Sequence, residues 1–239
     1  MQIQRYSLPG PVPKPLNIAL VADLHDRDGS AILSSLTTEK PDIIAIAGDL
    51  TNNLPGTKEG FPAFISACSR IAPTFYALGN HEFSFTEADI ALARESGAVV
   101  LVDEYVSLGS VCIGGLTSRT RPARLSHRRK TVPPRLDWLS AFEQQSGFKI
   151  LINHHPEYYR PYLKERDIDL ILSGHAHGGQ IRVFGLGLFA PGQGVLPRYT
   201  KGIYDDRLVV SAGLANTVRW LPRWGNPTEL VYIKINPQT

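Results

Sequence analysis

The sequence contains little cysteine and no long apolar segment. Its two cysteines, Cys68 and Cys112, lie far apart and belong to no paired metal-binding or redox motif, so we expect two reduced thiols in the core of a cytosolic protein. No apolar run reaches the roughly 18–20 residues that a membrane-spanning helix requires. Residues 1–15 also lack the basic and then apolar pattern of a signal peptide. The sequence therefore predicts a cytoplasmic protein and leaves only peripheral contact with a membrane open.

The sequence also lacks internal repeats, low-complexity segments and a strong excess of one charge. Its 239 residues, 43% of them hydrophobic and 20% charged, have the length and composition of one well-packed domain. The net charge of +3 favours anionic ligands but falls short of the strongly basic pattern of nucleic-acid-binding proteins. We therefore predict a single domain over residues 1–239, which begins with a Pro-rich leader at 1–15 that cannot form a regular helix.

Short apolar runs that end abruptly in polar residues recur along the chain and predict buried strands. The five runs that are followed by residues able to bind a metal lie at 18–22, 43–47, 74–78, 150–152 and 168–172. Further strands are predicted at 105–108, 111–116, 208–211 and 230–235, and helices at 30–39, 58–70, 86–96, 134–145 and 157–165. Strands that alternate with helices indicate an α/β fold, and the best architecture is a four-layered α/β/β/α sandwich of two mixed sheets.

The polar residues that follow the five strands form a set of candidate metal ligands. The set consists of Asp23, His25, Asp49, Asn80, His154, His175 and His177. Because ligands of α/β sheets bind beyond the carboxyl ends of the strands, we expect these side chains to converge. Carboxylate, amide and imidazole ligands without a thiolate suit Mn, Fe or Zn better than Ca or Mg. One dication needs three or four protein ligands, so seven candidates indicate two metals that share a bridge.

The order and spacing of five blocks resemble the calcineurin-like metallophosphoesterases. The blocks are Asp23-Leu24-His25, Gly48-Asp49, Gly79-Asn80-His81-Glu82, His154-His155-Pro156 and Gly174-His175-Ala176-His177. The resemblance implies that one metal is held by Asp23, His25 and His177. It implies that the other is held by Asn80, His154 and His175, with Asp49 as the bridge. The expected reaction is hydrolysis of a phosphomonoester, phosphodiester or pyrophosphate by a metal-bound hydroxide, because coordination lowers the pKa of water toward about 7.

The rival reading is a non-catalytic metal-binding scaffold or interaction module. Scaffold members of the family often lose ligands or the catalytic histidine, whereas this chain keeps all of those positions. His81 matches the family histidine that stabilises the transition state or protonates the leaving oxygen, and Glu82 is expected to orient its loop. One departure concerns the Asp that commonly lies three residues after the bridging Asp, because this chain has Asn52 there. Asn52 can hydrogen-bond His81 but cannot stabilise an imidazolium as a carboxylate would.

Three residues are candidate substrate contacts: Arg119, Arg124 and His155. His155 could instead lie behind the metal ligands. The two arginines belong to the segment 119–130, which carries six basic residues and no acid. Such a segment is either a solvated loop, a flap over the metals, a patch for anionic lipid headgroups or a contact for a nucleic-acid backbone. The stretch 177–214 resembles a bacterial subgroup that includes membrane-associated phosphodiesterases, some acting on UDP-diacylglucosamine. A nucleotide-sugar or lipid-linked phosphate is therefore an expected substrate, and the oligomeric state is left open.

Overall fold

The structure of the chain, a computed structural model, describes residues 1–52, 60–121, 130–215 and 222–238. The helices in this part are α1 (Ser30–Glu39), α2 (Phe61–Ser69), α3 (Glu87–Glu95) and α4 (Leu139–Glu143). The strands are, in chain order, β1 (Gln2–Gly10), β2 (Leu16–Val21), β3 (Ile43–Ala47), β4 (Thr74–Ala77), β5 (Ala98–Leu101), β6 (Glu104–Leu108), β7 (Val111–Leu116), β8 (Thr120–Arg121), β9 (Lys130–Thr131), β10 (Phe148–Asn153), β11 (Leu170–Ser173), β12 (Arg182–Val183), β13 (Leu186–Gly187), β14 (Phe189–Ala190), β15 (Gly194–Val195), β16 (Gly202–Tyr204), β17 (Leu208–Val210) and β18 (Glu229–Pro237).

Two six-stranded mixed sheets form the centre of the fold. The first has the strand order β1-β18-β2-β3-β4-β5, and the second has the order β16-β17-β11-β10-β7-β6. Strands β2 to β5 run parallel to one another, as do β7, β10, β11 and β17 in the second sheet. The predicted α/β class and the two mixed sheets are therefore confirmed. Parallel strands place all their carboxyl ends at one edge of a sheet, which is where the polar residues follow.

The packing of the two sheets explains the continuous apolar runs. The inner faces form one core, in which Ile18, Ala45 and Phe75 of the first sheet join Ile113 and Ile152 of the second. The outer face of the first sheet is covered by α1, α2 and α3, and that of the second by α4 and the segment around Tyr159. Strands that are buried on both faces need apolar residues at every position rather than at alternate ones. This arrangement gives the four layers that the sequence predicts.

The predicted helices are confirmed to different degrees. Helix α1 has the predicted bounds, and α3 begins after Thr86, which forms a reciprocal capping box with Asp89. The helix predicted at 134–145 shortens to α4, which spans only Leu139–Glu143. The helix predicted at 157–165 forms only in part, and it is not a regular α-helix. A 3-10 turn at Pro156–Tyr158 is followed there by a π-helical turn at Tyr159–Leu163, in which Pro161 lacks the amide hydrogen of a regular α-helix.

The N-terminal segment differs most from the sequence prediction. Within the predicted Pro-rich leader, for which only a regular helix was excluded, Gln2–Gly10 forms β1 at the edge of the first sheet, parallel to β18. An edge strand tolerates proline because one side of its backbone needs no partner strand. Strand β5, for which no prediction was made, lies at the opposite edge of the same sheet. Among the described residues, no helix combines the length and apolar character that crossing a membrane requires.

Candidate metal centre

The seven predicted ligands meet at the edge where the central strands of both sheets end. Asp23 follows β2, Asp49 follows β3, and Asn80 follows β4, while His154 and His175 follow β10 and β11. All seven side chains are buried. Residues that are more than 150 positions apart in sequence thus come into contact, as between the His175 amide and the Asp23 carboxylate at 3.0 Å.

Two groups of side chains within this cluster each have the spacing of a cation site. In the first, the ligand atoms of Asp23, His25 and His177 all lie within 4.8 Å of one another. The Nε2 atoms of His25 and His177 are 3.9 Å and 3.7 Å from Oδ1 of Asp23. These separations are too long for hydrogen bonds. They leave room for a cation between the side chains.

The second group contains Asp49, His154 and His175, whose ligand atoms also lie within 4.8 Å of one another. Oδ1 of Asn80 joins it at 3.0 Å from His154 Nε2. Asp49 faces both groups, because its Oδ2 lies 3.2 Å from His154 Nε2 and 3.7 Å from His25 Nε2. The geometry therefore places Asp49 where a bridging carboxylate is expected.

The backbone at this edge adopts conformations that L-residues rarely use. Five of the seven candidate ligands have φ between 44° and 64°, in the left-handed region: Asp23, His25, Asp49, His175 and His177. Each such residue costs on the order of 1–3 kcal/mol, and this strain is characteristic of functional sites. Close backbone approach accompanies it, since a Cβ at Gly213 would lie 2.7 Å from Asp23 Oδ2, and one at Gly79 would overlap Asp49.

Three of the four histidines in the cluster, His25, His175 and His177, are held neutral, as a metal ligand must be. Burial lowers the pKa of His25 to about 3, and it lowers the pKa values of His175 and His177 well below the usual range. Neither ring nitrogen of His25 has a hydrogen-bond partner among the described residues. A buried imidazole without a partner is costly unless a ligand satisfies it. The first group therefore fits a bound divalent cation.

The carboxylates show the complementary effect. Burial, opposed by His154, raises the pKa of Asp23 to about 7. Burial would also raise the pKa of Asp49, but the neighbouring His154 and then His81 lower it below its usual value. In return Asp49 outweighs burial and raises the pKa of His154 to about 10. A pair of cations would stabilise both carboxylates and replace the proton of His154.

Glu82 joins the loops that carry these ligands. Its buried carboxylate accepts hydrogen bonds from the amides of Asp49, Leu50 and Gly79, each at 2.8 Å. Burial, followed by the charge of Asp49, raises the pKa of Glu82 to about 7. The structure thus confirms the expected role of Glu82, which fixes the loop after β3 against the loop after β4.

His81 lies at the open side of the cluster, with 20% of its side chain exposed. Its Nε2 is 3.9 Å from Asp49 Oδ2, and its main-chain amide donates to Asp49 Oδ1 at 2.8 Å. Nδ1 lies 3.2 Å from the main-chain oxygen of Asn52. The side chain of Asn52 donates instead to the main-chain oxygen of His25. The predicted contact between Asn52 and His81 is therefore present, but it is made by the main-chain oxygen of Asn52 and not by its side chain.

The three candidate substrate contacts differ in their surroundings. His155 is buried, and its two ring nitrogens lie 2.5 Å from Ser118 Oγ and 3.0 Å from Glu157 Oε1. Arg119 is exposed and lines a cavity of about 320 Å³ together with Glu82 and Ser118. Arg124 lies outside the described residues. A substrate contact by His155 stays a prediction, although both nitrogens already face protein atoms.

Sequence reasoning missed Asn226, which holds the loop of the ligand His177. The Asn226 side-chain amide is buried and donates to the main-chain oxygens of His177 at 2.7 Å and Gln180 at 3.1 Å. Its carboxamide packs against Gly178, where a Cβ would overlap it. Only a preceding glycine and a following proline surround Asn226 in sequence, a pattern that indicates a turn and no site.

Asn226→Ala is expected to destabilise the metal-free protein by about 1–3 kcal/mol, because two buried carbonyl oxygens lose their donor. The free energy of unfolding in urea measures this effect. Asn236→Ala is the matched control, since it removes an exposed hydrogen bond to Ser7 and is expected to change stability by less than about 0.5 kcal/mol. Equal losses in the two variants would contradict the proposed hold on the His177 loop.

The two-sheet sandwich and its buried cluster of His and Asp side chains define a metal-binding α/β protein. Residues 16–179 match the family model described as calcineurin-like phosphoesterase, and the chain belongs to this family. It is 30% identical over 227 residues to an uncharacterized metallophosphoesterase of Campylobacter jejuni, covering 92% of this chain and 57% of that protein. It is 27% identical over 234 residues to an uncharacterized metallophosphoesterase of Helicobacter pylori strain 26695, covering 94% of this chain and 61% of that protein. It is also 29% identical over 229 residues to an uncharacterized metallophosphoesterase of Bacillus subtilis strain 168, covering 87% of this chain and 79% of that protein. The chain thus spans about 57–61% of the length of the first two relatives.

Proposed function

We propose that this chain is a metal-dependent phosphoric ester hydrolase that uses two metal ions. The observation that supports this most directly is the convergence of two three-residue ligand groups at Asp49, next to a buried His25 that has no hydrogen-bond partner in the described part of the chain. A non-catalytic scaffold would need the ligands but would not need His81 at the open side of the cluster. We therefore favour the enzyme over the scaffold.

Each residue of the centre has an assigned part in this proposal. Asp23, His25 and His177 hold one ion, and Asn80, His154 and His175 hold the other, with Asp49 between them. The ions, of Mn, Fe or Zn, would supply Lewis acidity for activating water and for neutralising a phosphoryl oxygen. Two dications against the carboxylates Asp23 and Asp49 leave excess positive charge, which attracts a phosphate ester. His81 then offers Nε2 to the substrate, because the main-chain oxygen of Asn52 accepts from Nδ1.

A substrate screen on the metal-reconstituted protein tests the proposal. The screen contains p-nitrophenyl phosphate, its bis-ester and a nucleotide-sugar diphosphate, and it is run with Mn²⁺, Fe²⁺ and Zn²⁺ in turn. Turnover of one class and loss of turnover with chelator are expected. Binding of metal without turnover of any phosphate ester would favour the scaffold.

A surface beside the metal centre supports a lipid-linked phosphate as the substrate. The side chains of this surface, here called the apolar platform, are between 65% and 101% exposed: Phe184, Leu186, Val195, Leu196 and Trp224. Backbone hydrogen bonds join the segments that carry them, through Leu188 to Ile181 and Leu196, and through Arg182 to Trp224. Large exposed apolar side chains on segments that are joined in this way indicate an interaction site.

The charge around the apolar platform favours an anionic membrane surface as its partner. Residues 178–204 contain no acidic residue and include Arg182 and Arg198, while Lys201 pairs with the buried Glu229. Cations beside exposed apolar side chains are typical of proteins that lie at a lipid interface, where each contributes about 1 kcal/mol near anionic headgroups. The platform begins shortly after the candidate ligand His177 along the chain, and Asn226, which follows Trp224 closely in sequence, donates to the main-chain oxygen of His177. A phosphate ester at a membrane surface would therefore lie close to the metals, and Arg119 and Arg124 are proposed as further contacts with it.

The variant Phe184→Ser/Leu196→Ser is expected to bind vesicles of anionic phosphatidylglycerol at least about 10-fold more weakly than the parent. Burying one large apolar side chain contributes about 1.5–3 kcal/mol, which the change removes at two positions. Cosedimentation measures the binding. Leu92→Ser is the control, because Leu92 is 41% exposed on α3, away from the platform. If the parent protein does not bind these vesicles at low salt, the lipid proposal is overturned. That result would favour a water-soluble nucleotide-type substrate.

A further inference from the structure

A buried chain of hydrogen-bonding groups lies behind the ligand His175. It consists of Ser118, His155 and Glu157, which come from the segment after β7 and from the turn after β10. His155 lies between the other two, with Nε2 at 2.5 Å from Ser118 Oγ and Nδ1 at 3.0 Å from Glu157 Oε1. These contacts fix the ring of His155 at both nitrogens, which explains why it presents no free nitrogen to a substrate.

The carboxylate of Glu157 also faces His175. Its Oε1 lies 3.7 Å from His175 Nε2, and the rings of His155 and His175 pack edge to face with centroids 4.3 Å apart. The other oxygen, Oε2, is buried and has no hydrogen-bond partner among the described residues. The backbone of Gly192 covers this carboxylate so closely that a Cβ at position 192 would overlap it. Glu157 is thus held in place, and its carboxylate can accept more hydrogen bonds than the surrounding donors supply.

We propose that Glu157 is a positioning residue for the metal ligand His175, and that His155 and Ser118 hold Glu157 in register. This inference rests on the proposed function, because it assigns His175 to a metal. When Nδ1 of His175 faces the metal, Nε2 carries the proton and points toward Glu157. The carboxylate then accepts from His175 Nε2 and from His155 Nδ1, while Ser118 donates to His155 Nε2. A carboxylate behind a metal-bound imidazole fixes its tautomer and makes it a stronger ligand.

The separation of 3.7 Å exceeds a hydrogen bond, and it closes when metal binding orients the ring. Such contacts are often long before the ligand binds and shorten afterwards. Metal affinity is therefore the quantity that Glu157 controls, and the loss of such a carboxylate typically lowers it about 10–100-fold.

Calorimetric titration of the metal-free protein with Mn²⁺ tests the inference without using activity. Glu157→Gln is expected to weaken one of the two bound ions about 10–100-fold and leave the other unchanged. Ser118→Ala, which removes only the far end of the chain, is expected to weaken the same ion by less. Glu143→Gln is the control, since Glu143 is a part-buried carboxylate that pairs with Arg166 outside the cluster. Circular dichroism checks that each variant is folded, and Ser118→Ala keeps the test decisive if Glu157→Gln does not fold.

Nuclear magnetic resonance of the Zn²⁺-loaded protein gives a second readout, the protonated nitrogen of His175. A proton on Nε2 is expected in the parent protein. The inference is overturned if the parent, Glu157→Gln and Ser118→Ala bind each of the two ions with the same affinity. It is also overturned if the proton lies on Nδ1 of His175. In both cases the proposed function stands. A parent protein that binds no ion contradicts both, so the two failures are distinguishable.

Discussion

Asp49→Asn is expected to remove hydrolytic activity more completely than the replacement of any other single ligand. Oδ2 of Asp49 faces His154 at 3.2 Å and His25 at 3.7 Å, so both proposed ions depend on its charge. The asparagine keeps an oxygen that can accept from the His81 amide, as Asp49 Oδ1 does. The change is therefore limited to the charge and to the second oxygen. Lewis-acid stabilisation contributes several kcal/mol, and loss of about 4 kcal/mol lowers the rate about 10³-fold.

Metal content by elemental analysis and kcat on the best substrate of the screen measure this effect. His177→Asn is the comparison, because His177 belongs to only one of the two ligand groups and its loss is expected to remove one ion. Asp49→Asn is expected to lose both. An Asp49→Asn protein that retains two ions and turns over within about tenfold of the parent would show that Asp49 does not bridge.

The convergence of the seven candidate ligands could be predicted from sequence because two general rules agree at this edge. Strands buried on both faces, such as β3 at Ile43–Ala47, appear as continuous apolar runs, and their carboxyl ends share one edge of the sheet. The predicted bounds of β3 and α1 match the structure. The ligand types at those ends then restrict the chemistry, since Asp, Asn and His without Cys select hard to borderline metals.

Other features depend on contacts that no local pattern encodes. β1 pairs with β18, whose residues follow more than 200 positions later, and the prolines near β1 excluded a regular helix without predicting a strand. Pro161 interrupts the apolar spacing that suggested a helix at 157–165. Glu157 and Asn226 are ordinary polar residues in sequence and gain their roles only from the side chains and loops that the fold brings to them. The left-handed conformation of Asp23 is similarly set by the packing of Gly213 and the amide of His175.

His81→Ala is expected to keep both metal ions and lower kcat about 10²–10⁴-fold, the usual contribution of a general acid or base. His81 is the partly exposed member of the cluster and lies 3.9 Å from Asp49 through Nε2. Its orientation comes from the main-chain oxygen of Asn52, so the absence of a carboxylate at position 52 does not free the ring. The variant removes a group that faces the substrate and leaves the seven proposed ligands in place.

The neighbouring His25 provides the matched comparison for His81. The two rings pack edge to face with centroids 4.6 Å apart, yet the buried ring of His25 has no hydrogen-bond partner within the ranges that the structure describes, whereas His81 contacts Asn52. His25→Ala is expected to lose one ion together with activity, whereas His81→Ala is expected to lose activity alone. Elemental analysis and kcat, measured on both variants after the same reconstitution, separate the two outcomes. If His81→Ala also loses an ion, then His81 is itself a ligand, and the protonation of the leaving oxygen must come from another group of the site.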